Sequence, residues 1–369
     1  MTAPVTDALT DALTEPLLLE VLREPQRMGA LSLAEWDLLL RQALAANLTA
    51  TLHGLAEQYR VLHAVPAAPR RHLEWAASLL RRHGAGVQWE VARIRAALAQ
   101  LDVPLILLKG AAYAVSGLAA SRGRLFSDID ILVPKARLGE VEPALMLAGW
   151  MSHHHDAYDQ RYYRVWMHEI PPMQHVQRGS VIDVHHAILP LTARARPDPD
   201  KLRASAVEVP GHAGVQVLAP ADMVIHSATH LFYDGEFDKG LRDLLDLHRL
   251  LTEFGARPGF WDGLPARARE LQLGRPLFYA LRYAARLLGT AVPPAVMAAL
   301  AWAGPPQPLL ALMDALFLRA LLPMHASCAR RFDGAARKAL YIRGNWLRMP
   351  PLLLARHLFH KAFISPPKP

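Results

Sequence analysis

The hydrophobic period of this chain changes at Pro104, and that change limits what it can fold into. Upstream, from residue 32 to about 101, apolar residues recur at helical spacing. Leu38, Leu39, Leu40, Ala43 and Leu44 begin the pattern, and Trp75, Leu79, Leu80, Trp89, Val91, Ile94 and Leu98 continue it with Arg and Glu between them. Downstream, LILLKG is a short apolar run ending in Lys109-Gly110, as a buried strand does when it passes into a tight turn. A helix is predicted over 110–118. SDIDILVP then alternates Asp128 and Asp130 with Ile129, Ile131 and Val133 until Pro134 stops the run. Side chains on a strand alternate between faces, so a strand here carries both carboxylates on one face and the apolar residues on the other.

Residues 135–148 read as a helix ended by Gly149. Residues 150–186 hold short β-like pieces, among them RYYRVWM and SVIDVHHAI, separated by turn signals at Pro171-Pro172 and Arg178-Gly179. TARARPDPDK, 192–201, reads as a loop, and helices are predicted at 220–233, 239–254, 261–272 and 275–288. The expected fold class is mixed α+β: a small mixed sheet covered by helices. It would occupy a β-α-β-α-β-β core at about 102–218. An N-terminal helical region (1–101) and a C-terminal helical region (219–329) flank it, and a basic amphipathic tail (330–369) follows.

Composition narrows the function classes. Of 369 residues 52% are hydrophobic and 20% charged, which suits a packed protein and excludes disorder or a low-complexity array. Cys328 is the only cysteine, which excludes an intramolecular disulfide and a zinc site built from several thiolates. The first residues hold Asp7, Asp11 and Glu15 without Lys or Arg, unlike a signal peptide, and charges such as Asp314 and Arg319 break the longest apolar stretches. A cytoplasmic protein is expected. The formal charge of +8 falls entirely in 330–369, where nine basic residues face the single acid Asp333. That segment reads either as a helix packed on the body with a basic outer face, or as a detachable contact for an anionic membrane surface or an acidic partner.

An apolar strand that ends at Gly before a helix, followed by two carboxylates two residues apart on a strand, suits phosphates and metal ions. Backbone N–H groups and the positive helix end at Gly110 can receive phosphates, and Lys109 adds a charge there. Asp128 and Asp130, roughly 6–7 Å apart along the strand, can hold oxygen-seeking cations such as Mg²⁺. Asp183 is the best-placed third carboxylate: in VIDVHH, Ile182 and Val184 face inward, while Asp183 and His185 face the first pair if the strands are neighbours.

The stretch LILLKGAAYAVSGLAASRGRLFSDIDILVPKARLGEVEPALMLAGW resembles the uncharacterised nucleotidyltransferase family of the DNA polymerase β superfamily. Leu108-Lys109-Gly110, the Arg-containing loop, Asp128, Asp130, Val133, Gly149-Trp150 and Asp183-Val184-His185 follow its pattern. HSATHLFYDGEFDKGLRDLLDLHRLL resembles its helical half, so the likeness spans about 100–290. The resemblance implies a minimal nucleotidyltransferase fold, an NTP donor, and two divalent ions, Mg²⁺ or Mn²⁺. It also implies transfer of a nucleoside monophosphate to a hydroxyl or amino acceptor, with release of pyrophosphate. Asp128 and Asp130 would ligate both metals, and Asp183 would ligate one and help deprotonate the acceptor. Gly110 would hold the β- and γ-phosphates, with Lys109 and Arg122 or Arg124 neutralising the leaving pyrophosphate. Where the superfamily usually has Gly-Ser, this chain has Lys109-Gly110, which removes the hydroxyl contact to phosphate.

The acceptor stays open among small hydroxylated or amino compounds, protein side chains and RNA ends, as do the base of the NTP and the oligomeric state. A nucleic-acid polymerase is disfavoured, because no RNA-binding module is recognisable and residues 1–329 carry no basic excess. The rival class is a catalytically silent binding or adaptor protein that keeps the fold. Three clustered carboxylates argue against it, since their repulsion costs stability without a cation. Other polar clusters have simpler readings. His153-His154-His155-Asp156 reads as a solvated edge, and His185 as a neighbour of the carboxylates or a structural histidine. His226, His230 and His248 read as half-buried packing residues, and Asp243 and Asp246, near Arg242 and Arg249, as helix-surface ion pairs.

Overall fold

The structure is a computed structural model that describes residues 15–152 and 156–363. The chain begins with α1 (Leu17–Arg23), α2 (Leu33–Ala45), α3 (Thr49–Gln58) and the long α4 (Ala67–Ala97). Ser32 and Glu35 close a reciprocal capping box that starts α2. The sheet region follows as β1 (Leu105–Leu107), α5 (Lys109–Val115), β2 (Asp128–Leu132), α6 (Leu138–Leu147), β3 (Trp150–Ser152), α7 (Ala157–Arg161), β4 (Met173–His175), β5 (Val181–His185), α8 (Pro199–Ala204), β6 (Val207–Glu208) and β7 (Val215–Val217). The remainder is helical: α9 (Pro220–Tyr233), α10 (Gly240–Gly255), α11 (Phe260–Glu270), α12 (Gly274–Leu288), α13 (Pro294–Ala299), α14 (Gln307–Ala320), α15 (Asp333–Arg348) and α16 (Pro351–Phe363). The expected mixed α+β class is the observed one.

The seven strands form one sheet in the order β3-β4-β5-β2-β1-β7-β6. β1 is buried throughout, as its unbroken Leu-Ile-Leu requires, and pairs antiparallel to β2 on one side and parallel to β7 on the other. β2 and β5 run parallel in register at the centre. A single cluster of buried apolar side chains reaches from Leu17 to Leu340.

Two local expectations are corrected, and a third falls outside the described residues. RYYRVWM is not a strand: the Asp156 carboxylate accepts from the Tyr158 and Asp159 amides and starts α7, which continues into a π-helical turn over Tyr162–Trp166. A short aromatic run fits either period, and here the cap decides. The reading of His153, His154 and His155 as a solvated edge lies outside the described residues. On α4, Leu73, Val87, Val91 and Ile94 face the core, whereas Trp75 and Trp89 are 67% and 49% exposed. Trp89 instead carries the Arg178 guanidinium 5.0 Å from its ring centre.

Of the two readings of the basic C-terminal segment, α15 follows the packed one. α15 packs against α9 and α14, and its arginines satisfy carbonyls of the body. Arg343 Nη1 donates to Phe232 O at 2.8 Å, and Arg337 donates to Phe237 O and Leu322 O at 3.2 and 3.0 Å. Trp166, Met167 and Met349 form a small buried cluster with Leu353 and Leu354 of α16 against it. Ile342, Trp346 and Leu352 remain exposed. No helix among the described residues is long and apolar enough to cross a membrane.

Candidate active site

The parallel register of β2 and β5 sets Asp130 directly beside Asp183. The strand period places Asp128 on the same face. One carboxylate oxygen from each of Asp128, Asp130 and Asp183 lies within 4.8 Å of the others. The structure thus brings together the three carboxylates expected from the sequence. Asp183 Oδ1 is buried and has no hydrogen-bond partner among the described residues. Burial, together with Asp130 and Glu169, pushes the Asp183 carboxyl up to about 7.

Asp130 is surrounded differently. Its Oδ1 accepts from Lys109 Nζ at 2.8 Å and lies 2.9 Å from His185 Nε2. Burial alone would raise its pKa, but Lys109 and His185 hold it well below the usual carboxylate range. Burial would likewise lower the Lys109 ammonium, and Asp130 outweighs it, so the lysine stays charged. Lys109 reaches β2 because its backbone is left-handed (φ +45°) where β1 turns into α5. A non-glycine residue rarely takes that conformation, at a cost of about 1–3 kcal/mol, unless its surroundings enforce it. Here the Leu108 amide, bonded to Asp130 O at 2.9 Å, ties the turn to β2.

The remaining expected residues divide. Gly110 lines the cavity, and its missing side chain makes room for Arg124 and for Phe126, whose Cδ1 would lie 2.7 Å from a Cβ. Arg124 also lines it, but its Nε is held by Asp246 Oδ2 at 2.5 Å, with Asp243 at 3.9 Å. Arg122 is exposed and lies outside the cavity lining. The pairing of Arg124 corrects the reading of Asp243 and Asp246 as helix-surface groups. Asp246 and Arg242 are buried, and the acidic face of α10 anchors the loop arginine.

Two cavities of about 290 and 320 Å³ flank the carboxylates and share Lys109, Asp128, His230 and Asp234. Glu236, Asp238, Lys239 and Arg242 line the first beyond the shared residues. Tyr162, Tyr163, Glu169, Asp183, Tyr233 and Arg348 line the second. His230 is therefore exposed to the cleft, not a packing residue, whereas His226 is buried. Sequence reasoning missed Glu169 and Arg348. Glu169 arrives through an isolated bridge to His185, and Arg348 through the docking of α15 and its ion pair with Asp234. No spacing in the sequence connects either residue to Asp130. All three clustered ligands are oxygen donors, and the orphaned Asp183 oxygen needs a partner, so the group fits a hard divalent cation.

A model of an uncharacterised nucleotidyltransferase family matches residues 32–289. The chain belongs to this family. No curated protein matches it. The matched span begins at α2 and ends at Gly289, the C-cap of α12, so it includes the sheet, the three carboxylates and the α10 face that holds Arg124. Among the described residues, Arg348 is the one residue of the second cavity that lies beyond the matched span.

Proposed function

We propose that the protein transfers a nucleoside monophosphate from an NTP to a hydroxyl or amino acceptor and releases pyrophosphate. The observation that carries this reading is the trio of Asp128, Asp130 and Asp183 on paired strands, with one buried oxygen left without a partner. Mg²⁺ or Mn²⁺ held by these carboxylates would supply Lewis-acid stabilisation of charge on the phosphoryl oxygens.

The chain's own groups have separate tasks. Lys109, already charged and beside Asp130, would turn to the phosphates as the carboxylate takes a cation. Arg124 would offer the guanidinium edge that Asp246 leaves uncovered, holding charge on the leaving pyrophosphate. Asp183, ionised beside the cation, would accept the acceptor's proton. The bond from the α-phosphorus to the bridging oxygen of the β-phosphate breaks as the acceptor oxygen or nitrogen bonds to that phosphorus.

One observation favours the rival reading of a silent binding protein: Lys109 Nζ already neutralises Asp130 at 2.8 Å. Thermal melting with Mg²⁺ or Mn²⁺ and each NTP separates the two. A ligand at 100 times its Kd stabilises the folded state by about 2.7 kcal/mol, so a rise in Tm that requires metal and nucleotide together is expected. No rise with any nucleotide would favour the silent protein.

The Asp183 carboxyl also sets a pH dependence. Its folded pKa is raised from 3.8, so the metal-free protein loses stability through this group as pH climbs from about 4 to 7. A cation must displace the proton, so Mn²⁺ should bind roughly tenfold more weakly at pH 6 than at pH 8. Isothermal titration at the two pH values checks this, and equal affinities would contradict it.

A further inference from the structure

On the far side of His185 from the carboxylates lies a second group of ligand-type side chains. His168, Glu169 and His185 each offer one ligand atom, and the three atoms lie within 4.8 Å of one another. The backbone fixes them together. Glu169 bridges to His185, Ile170 N donates to Val184 O at 3.0 Å, and His186 N donates to His168 O at 2.8 Å.

His185 makes the contacts of a metal-bound histidine, and His168 keeps a ring nitrogen unused. His185 turns Nε2 to Asp130 and Nδ1 to Glu169, at 2.9 and 3.3 Å. A histidine that binds a metal through one ring nitrogen generally donates the other N–H to a carboxylate, which fixes the tautomer. Asp130 supplies that carboxylate. His168 Nδ1 is buried and has no hydrogen-bond partner among the described residues. Burial, with His185 and Lys109 nearby, holds this ring well below the ordinary histidine range, so it is neutral. The two ring centres are 5.2 Å apart. Imidazoles sharing one tetrahedral Zn²⁺ at Zn–N distances of about 2.0–2.1 Å have centres roughly 5 Å apart. An ion pair between Glu169 and His185 explains their contact but leaves His168 Nδ1 without a role.

We propose that His168, Glu169 and His185 form a site for a borderline divalent transition-metal ion, Zn²⁺ foremost, separate from the all-oxygen site of Asp128, Asp130 and Asp183. Two imidazoles and a carboxylate suit Zn²⁺, whereas Mg²⁺ favours oxygen ligands. His168, Glu169 and His185 all line the second cavity, so a further coordination position faces whatever occupies that lobe. An ion on His185 Nδ1 keeps the ring's proton on Nε2, which donates to Asp130, and that bond couples the two sites. The proposal does not depend on nucleotidyl transfer.

The test is calorimetric titration of metal-stripped, full-length protein with Zn²⁺ in excess Mg²⁺. The wild type should bind Zn²⁺, and His168→Ala and Glu169→Gln should each weaken binding at least about tenfold. Asp128→Asn should leave it unchanged. With Co²⁺ as the probe, the visible absorption of the bound ion should fall in the same two variants; a purely structural histidine would alter stability alone. Glu169→Gln preserves side-chain size and serves if His168→Ala does not fold. Zn²⁺ binding unchanged in both variants would place the metal elsewhere among the 18 histidines and overturn the proposal. Absence of binding in Mg²⁺ would do the same.

Discussion

Asp130→Asn is expected to lower nucleotidyl transfer about a thousand-fold, because a lost metal ligand removes several kcal/mol of transition-state stabilisation. The same change should weaken the fold. Asp130 Oδ1 is the shared partner of Lys109 Nζ and His185 Nε2, and the Lys109 side chain is only 19% exposed. Removing one partner of a buried ion pair costs about 3–5 kcal/mol, since the other charge stays buried and uncompensated. Adding Lys109→Met should recover most of that stability without restoring transfer. Urea denaturation and rate measurements on the single and double variants separate the two effects. If transfer returned along with stability, Asp130 would be a structural residue.

The second large effect concerns the C-terminal helix. Gly334 and Gly344 both lie in α15, and alanine should act on them with opposite sign. Nothing lies within 4 Å of a Cβ at Gly334. Gly334→Ala should therefore stabilise the protein by about 0.4–1 kcal/mol, by reducing the freedom of the unfolded chain. At Gly344 a Cβ would meet Asp234 O at 2.6 Å and Gly235 Cα at 2.8 Å. Those atoms are backbone and cannot swing aside, so Gly344→Ala should push α15 off the turn after α9 and cost about 1–3 kcal/mol. Arg348 sits one helical turn further on and pairs with Asp234 at the second cavity. Transfer should therefore fall in Gly344→Ala and not in Gly334→Ala. Equal melting of the two variants would show that α15 does not dock as described.

The sequence made the carboxylate strand legible because Asp-Ile-Asp-Ile is a period-two pattern, and one buried face forces such a strand into a single register. It also gave the face of Asp183, although only the parallel pairing of β2 with β5 makes Asp130 and Asp183 neighbours. The rest of the site is assembled over long distances in the chain. Asp246 meets Arg124 across 122 positions and Arg348 meets Asp234 across 114, and local spacing carries no trace of either contact. For that reason a pair on α10 looked like surface charge, and the basic terminus read either as a packed helix or as a detachable contact. RYYRVWM failed for another reason: a seven-residue aromatic run satisfies both periods, and the cap at Asp156 settles it.

The central claim is nucleotidyl transfer at Asp128, Asp130 and Asp183. Its most direct measurement follows two labels through one reaction, with NTP labelled at the α- or the γ-phosphate, Mg²⁺, and a cell extract as the source of acceptor. The account predicts that α-label moves onto a product while γ-label leaves as pyrophosphate, and that neither happens with Asp130→Asn. Transfer of the γ-label, or undiminished α-label transfer by Asp130→Asn, would contradict it.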